Sequence, residues 1–175
     1  MGESPLAAER QDVRPTTRMN VLAERGGVIF AVVTIQEAAD FAPPFRGVAF
    51  PCLIWDHQGI LADAERAAVA AALLDADCRY AVCGGEECEA WHDAVDQEFV
   101  ARHLDDRDEV GDSAHVMTSW HEGETPDDVA FFFVRNTNFD QHDFKRFLVL
   151  HVGTSPATGQ VDSAVRKYAL GGEAA

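Results

Sequence analysis

Apolar and polar positions along the chain predict strands that alternate with helices. Val28 to Ile35 is a continuous apolar run rich in β-branched residues, which is typical of a strand buried on both faces. Four later runs have the same character and are also expected to be strands: Val48 to Trp55, Arg79 to Cys83, His115 to Ser119 and Phe147 to Val152.

Helical signals lie between these runs. Asp63 to Ala76 is rich in alanine and begins with an acidic turn, and apolar residues recur at helical spacing after Gly84-Gly85. Thr125 to Asp128 combines a capping Thr, a Pro suited to the first helical position and two acids, so it predicts a helix over Val129 to Val134. Val161 to Leu170 is expected to form a terminal helix.

Strands separated by helices require crossover connections, which produce a parallel sheet covered on both faces. We therefore expect one α/β domain over residues 28–175. Its expected architecture is a three-layer sandwich with a mostly parallel sheet of about five strands, Rossmann-like or flavodoxin-like. Residues 1–27 show no sustained periodicity and end in Gly26-Gly27, so they are expected to form a mobile or loosely docked arm.

The net charge of the chain limits the kinds of partner that it is expected to bind. The chain has 175 residues, with 14 Lys and Arg against 30 Asp and Glu, for a formal net charge of −16. Such an excess of acid opposes binding to phosphate backbones, so direct nucleic-acid binding is not expected. The partners that the charge still allows are another protein or a second copy of this chain.

No apolar run approaches the roughly 20 residues that a bilayer requires, and no secretory signal is visible, so a cytoplasmic protein without membrane contact is expected.

Candidate site residues follow the predicted strands directly. Ligands of open α/β sheets bind beyond the carboxyl ends of the strands. The ligand-binding candidates at these positions are His57, Gly84, Gly85, Trp120 and Glu122.

The residues at the predicted strand ends suit two kinds of chemistry. His57, His121 and His151 with a nearby carboxylate would suit a divalent metal such as zinc or iron. Alternatively, Asp56 or Cys83 would act as a nucleophile, with His57, His121 or His151 as acid or base. A helix N-terminus would lower the pKa of Cys83, although the neighbouring acids oppose that effect.

The segment Ile54 to Glu65 resembles the first motif of haloacid-dehalogenase-type phosphatases, in which an apolar strand ends in Asp-x-Asp-Gly-Thr-Leu. The resemblance implies a phosphoryl-transfer site with magnesium, in which Asp56 attacks phosphorus. Gln58 stands where the family has its general acid, and Ile60 stands where it has Thr. The family's Ser/Thr position would fall at Cys83 or Thr118 and its Lys at Lys145, while no acidic pair follows the last strand.

Two functions remain. The first is a non-catalytic binding or assembly module whose acidic surface engages a protein partner, because none of the catalytic motifs is complete. The alternative is a small hydrolase-type α/β enzyme that uses Asp56 or Cys83 with the strand-end histidines, with or without a metal.

Overall fold

The computed structural model describes residues 19–104, 111, 114–139 and 142–172. The strands of the sheet are β1 (Asn20–Arg25), β2 (Val28–Ile35), β3 (Phe50–Asp56), β4 (Cys78–Gly85), β5 (Met117–His121) and β6 (Arg146–Val152). The α-helices are α1 (Asp63–Asp75), α2 (Cys88–His103), α3 (Pro126–Arg135) and α4 (Thr158–Ala169). A short 3-10 turn, Ala38–Asp40, follows β2.

The strands form one six-stranded sheet in the order β1-β2-β6-β3-β4-β5. The β1–β2 pair is antiparallel, and the other neighbouring pairs are parallel. Helices α1 and α2 pack with one face of the sheet, whereas α3 and α4 pack with the other. The expected mixed α/β class with a mostly parallel sheet between helices is therefore confirmed. The strand order differs from the Rossmann-like order 3-2-1-4-5-6 and the flavodoxin-like order 2-1-3-4-5.

The sixth strand comes from the segment predicted to be an arm. Asn20–Arg25 pairs with β2 through a turn in which Gly26 and Gly27 have φ of +59° and +82°. Two consecutive residues with positive φ suit a tight hairpin turn, which glycine forms without steric cost. Leu22 is buried, so the strand also contributes to the core. Residues 1–18 of the predicted arm lie outside the described residues.

The helix predicted from Thr125 is present and begins at Pro126. The Thr125 side-chain oxygen accepts a hydrogen bond from the Asp128 backbone N–H at 3.3 Å, which satisfies one of the free donors of the first turn. The observed bounds of other elements differ from the predicted ones. Strand β4 continues through Gly85, so α2 begins only at Cys88, and β5 begins and ends two residues later than predicted.

The connections make a topological switch point at the carboxyl edge of the sheet, between β3 and β6. The chain leaves β3 toward α1 on one face and leaves β6 toward α4 on the opposite face. Ligands of open α/β sheets usually bind at such a switch point, where the connections of two neighbouring parallel strands diverge. This switch point is called the β3–β6 crevice below.

The four cysteines, Cys52, Cys78, Cys83 and Cys88, are free and buried. Among the described helices, none has both the length and the apolar character needed to cross a membrane.

Candidate active site at the crevice between β3 and β6

A chain of hydrogen bonds passes through one fully buried histidine at the β3–β6 crevice. Ser155 Oγ lies 2.8 Å from His57 Nδ1, and His57 Nε2 lies 2.9 Å from His151 Nδ1. His151 Nε2 then lies 3.0 Å from Asp162 Oδ1. These four side chains are called the histidine relay. They come from the loop after β3, from β6, from the loop after β6 and from α4.

The relay ends on a carboxylate. An ionised Asp162 only accepts hydrogen bonds, so its contact with His151 Nε2 is a hydrogen bond when the proton of His151 is on that nitrogen. With both rings neutral, His151 Nδ1 is then an acceptor and His57 Nε2 is the donor to it. His57 Nδ1 is left without a proton and accepts from the Ser155 hydroxyl. The hydrogen bonds then run in one direction, because Ser155, His57 and His151 each donate to the next group toward Asp162.

Ser155 lies just before α4, and its hydroxyl oxygen also accepts a hydrogen bond from the backbone. The Ala157 backbone N–H donates to Ser155 Oγ at 3.1 Å, and the Ser155 backbone N–H donates to Thr158 Oγ1 at 3.1 Å. The N-terminus of a helix carries a partial positive charge. A developing negative charge on Ser155 Oγ would be stabilised by the Ala157 N–H and by the beginning of α4.

His57 has the properties of a base at neutral pH. Partial burial lowers its pKa below the usual histidine value, and the neighbouring His151 lowers it further, while Asp56 and Asp162 act in the opposite direction. The planes of the two imidazole rings are inclined by 27°, with centroids 5.0 Å apart. His57 is half-buried and His151 is fully buried, so His57 is the ring within reach of solvent and of a bound molecule.

Asp56, a predicted nucleophile, is fully buried and its oxygens are already bonded. Oδ1 accepts from the backbone N–H groups of Gln58 and Gly59, at 3.0 and 2.8 Å, and Oδ2 accepts from Trp91 Nε1 at 2.9 Å. This arrangement shapes the loop that carries His57 and ties it to α2. The geometry favours a structural role for Asp56 over attack on a substrate.

Cys83, the other predicted nucleophile, is fully buried in the core between the sheet and helices α1 and α2. Burial raises the pKa of its thiol well above the usual value, and nearby Cys88 and Cys78 act in the same direction. A thiolate is therefore strongly disfavoured, and Cys83 has the environment of a packing residue.

Gly84 and Gly85 are explained by close packing. A Cβ at Gly84 would lie 2.9 Å from the Trp55 ring, and a Cβ at Gly85 would lie 2.1 Å from the Asp56 carbonyl oxygen. Gly85 also has φ of +81°. Only glycine permits the end of β4 to approach β3 in this way.

His121 lies at a second feature, a cleft of about 660 Å³ between the start of α2 and the loop after β5. Its Nδ1 is 2.9 Å from Glu124 Oε2, and its ring packs on Phe132. The cleft wall includes Gly85 and Glu122 of the predicted ligand-binding set. Six carboxylate side chains line this acidic cleft: Glu86, Glu87, Glu89, Asp93, Glu122 and Glu124. Trp120 is 48% exposed and contacts His92 edge-to-face, away from the cleft lining.

The structure does not bring the three predicted metal-binding histidines together. His57 and His151 are hydrogen-bonded neighbours, whereas His121 is on β5, two strand spacings from β3, or roughly 10 Å. Across the described ranges, no group of three or more His, Cys, Asp or Glu residues is arranged to hold a metal ion.

Two relay residues received no chemical role from the sequence. Ser155 was visible as a strand-end residue, but its spacing matched no nucleophile motif. Asp162 is on α4 beside the buried residue Val161. A lone acid adjacent to the apolar face of a helix is the only local signal that marked it, and that signal is weak.

The fold and the relay together define a mixed α/β protein with a polar hydrogen-bonded site at the carboxyl edge of its sheet. Residues 31–168 match the model of a family described as "Domain of unknown function (DUF7684)". The match covers more than three quarters of the chain, from β2 into α4, and includes the whole relay. The chain therefore belongs to this family. No curated protein and no solved structure matches it.

Proposed function

We propose that the protein is a small hydrolase-type enzyme in which Ser155 is the nucleophile and His57 is the general base. The observation that supports this proposal is the continuous hydrogen-bonded relay from Ser155 to Asp162 at the β3–β6 crevice. A hydroxyl bonded to a base that is itself oriented by further groups is the arrangement that activates a nucleophile. The proposal retains the strand-end histidine His57 and assigns the nucleophile to Ser155, in place of Asp56 or Cys83.

The reaction class that fits this arrangement is acyl transfer from an ester to water. Ser155 Oγ bonds to the carbonyl carbon while its proton passes to His57 Nδ1, and the alcohol then leaves with that proton. A water molecule next attacks the acyl-serine ester and gives its proton to His57, which returns it to Ser155 Oγ. The net change is ester plus water to acid plus alcohol, and no co-reactant is needed.

The first test is covalent labelling of the full chain with an alkyl fluorophosphonate, followed by intact-protein mass spectrometry and peptide mapping. Ser155 Oγ bonds to phosphorus, fluoride leaves, and the serine proton is taken up by His57. We expect one label per chain, on Ser155. Ser155→Ala should abolish it, and His57→Gln should slow it by about 10²-fold or more, which is the usual contribution of a general base.

Ser163→Ala is the matched control, because Ser163 is exposed on the same helix α4 and takes no part in the relay. It should label at the parent rate. Circular dichroism of each variant would show that the fold is retained. Absence of label on Ser155, or equal rates for the parent and His57→Gln, would refute the proposed activity.

The acidic cleft favours a second candidate function. We propose that it receives a basic segment of a protein partner, as the net charge of the chain suggests. No lysine or arginine is among the described residues that line the cleft. This function does not require the relay, so it would also suit a binding module without catalysis.

A Lys- and Arg-rich peptide labelled with a fluorophore provides the test of this second function. Binding should weaken with added salt and with Glu86→Gln combined with Glu122→Gln, while Ser155→Ala should leave it unchanged. Asp143→Asn removes one charge at a distant exposed position and is the control. Equal affinity for the double variant and the control would reject the cleft as the binding surface.

A further inference from the structure

We infer that Asp162 is the positioning residue of the relay and fixes the direction of all its hydrogen bonds. The consequence for catalysis rests on the proposed function, because it concerns whether Ser155 can give up its proton. The direction itself is a property of the resting protein and can be measured without any substrate.

The inference begins with the burial of His151. This ring is fully buried, and both of its nitrogens have protein partners: Nδ1 faces His57, and Nε2 faces Asp162. His57 can either donate or accept at Nε2, so it does not by itself choose a tautomer for His151. Asp162 can only accept. It is therefore the partner that decides which nitrogen of His151 carries the proton.

The same choice passes along the relay to the serine. With the proton of His151 on Nε2, His57 must donate through Nε2 and accept through Nδ1, so the Ser155 hydroxyl donates to a free ring nitrogen. Thr158 Oγ1 lies 3.2 Å from the same His57 nitrogen, Nε2, and accepts a hydrogen bond from the Ser155 backbone N–H. It is therefore compatible with His57 donating through Nε2.

The opposite direction would leave Ser155 inactive. His57 Nδ1 would then carry the proton and point it at Ser155 Oγ, which already receives the Ala157 N–H. The serine oxygen would have two donors, and its own proton would have no ring nitrogen to accept it. Proton abstraction by His57 requires the direction that Asp162 imposes.

Asp56 is the other carboxylate close to His57, and it is not placed to act in this way. Its oxygens accept from Trp91 and from the backbone of Gln58 and Gly59, and no hydrogen bond joins it to either ring. It acts on His57 through its charge and through the loop that it holds, and not through a hydrogen bond to the ring. Asp162 is half-buried, with 28% of its side chain exposed, so the isosteric change Asp162→Asn can be made without opening the core.

The experiment is ¹⁵N NMR of histidine-labelled full-length protein at a pH well above the ordinary histidine value of about 6.5. The nitrogen shifts of each neutral ring show which nitrogen carries the proton. Assignment uses His57→Gln to remove one ring. In the parent protein, both His57 and His151 should be protonated at Nε2 alone. In Asp162→Asn, the side-chain amide can donate to or accept from His151, so both rings should show a mixture of tautomers.

The labelling rate at Ser155 is the second measurement. Asp162→Asn should slow fluorophosphonate labelling by about 10²-fold, and Asp162→Glu, which keeps an acceptor, should recover part of the rate. Asp143→Asn, which removes a carboxylate from an exposed position outside the relay, should change neither the tautomers nor the rate.

The outcomes separate the two proposals. A parent His57 protonated at Nδ1, or tautomers and labelling rate both unchanged in Asp162→Asn, would overturn the positioning role of Asp162. The predicted tautomers with a mixture in Asp162→Asn, but no label on the parent Ser155, would support the positioning role and refute the hydrolase. Fast labelling of the parent protein that Asp162→Asn leaves intact would support the hydrolase and refute the positioning role.

Discussion

Replacing Asp56 with Asn separates a structural role for this residue from a catalytic one. The carboxylate is fully buried and accepts three hydrogen bonds, two from the backbone of the loop that carries His57 and one from the Trp91 indole. Asn is almost the same size, so the change alters hydrogen bonding and charge and leaves packing nearly constant. We expect a loss of stability.

The size of the expected loss of stability follows from the three hydrogen bonds that Asp56 accepts. If the new amide NH₂ faces Trp91, one bond to a charged group is lost, which costs about 1.5–3 kcal/mol, and the two remaining bonds become weaker neutral ones. If the NH₂ instead faces Gln58 and Gly59, two bonds are lost, so the first orientation is preferred. Removing a buried charge offsets part of the loss. The net decrease in the free energy of unfolding is expected to be about 2 kcal/mol.

Urea unfolding followed by tryptophan fluorescence is the assay. Asp143→Asn is the control, since its side chain is 75% exposed and the change should stay within about 0.5 kcal/mol. Because the loop residue His57 is held in place by Asp56, fluorophosphonate labelling of Ser155 should also slow. An unfolding free energy equal to that of the parent protein would show that the hydrogen bonds of Asp56 do not support the fold.

Three further predictions concern the residues that shape or flank the site. Gly85→Ala should destabilise the protein by about 3 kcal/mol, because the new Cβ would meet the Asp56 carbonyl oxygen at 2.1 Å. Gly123→Ala, also at positive φ but with open space around it, should cost less in the same thermal or urea assay. Thr125→Ala should cost about 1 kcal/mol through loss of the α3 cap, and an unchanged urea midpoint would contradict the capping role. Since the pKa of His57 is lowered in the folded state, its contribution to stability is complete above about pH 6.5 and is lost as the pH falls further. The urea midpoint of His57→Gln should therefore depend less on pH in that range than that of the parent, and parallel curves would argue against the lowered pKa.

Local features of the sequence were sufficient for the class of fold and for most elements. The apolar run Val28 to Ile35 is β2 with the predicted bounds, and the Thr125 cap correctly assigned α3 as helical although its core contains three consecutive Phe residues. Strand β1 was missed, because its only buried apolar pair, Leu22 and Ala23, lies between polar or exposed positions. Its pairing depends on β2 and is not encoded in its own periodicity.

The candidate site was also predictable only in part from the sequence. The position of His57 and His151 just beyond or within strand ends could be predicted from the sequence, because a parallel sheet brings its carboxyl ends to one edge. That these two rings are adjacent, and that His121 is remote, depends on β6 being inserted beside β3. Strand order is decided by which apolar faces are buried together across the whole chain, so no local pattern reveals it.

Periodicity, caps and crossover connections are local features, and they were enough to predict the α/β class, the mostly parallel sheet and the edge at which its strands end. Which polar groups meet there depends on how the whole chain packs. Residues 94 positions apart form the His57–His151 hydrogen bond, and a helix packed on the opposite face from α1 supplies Asp162. Burial, which also depends on the complete fold, removed Asp56 and Cys83 from contact with solvent and left Ser155 beside His57 at the crevice.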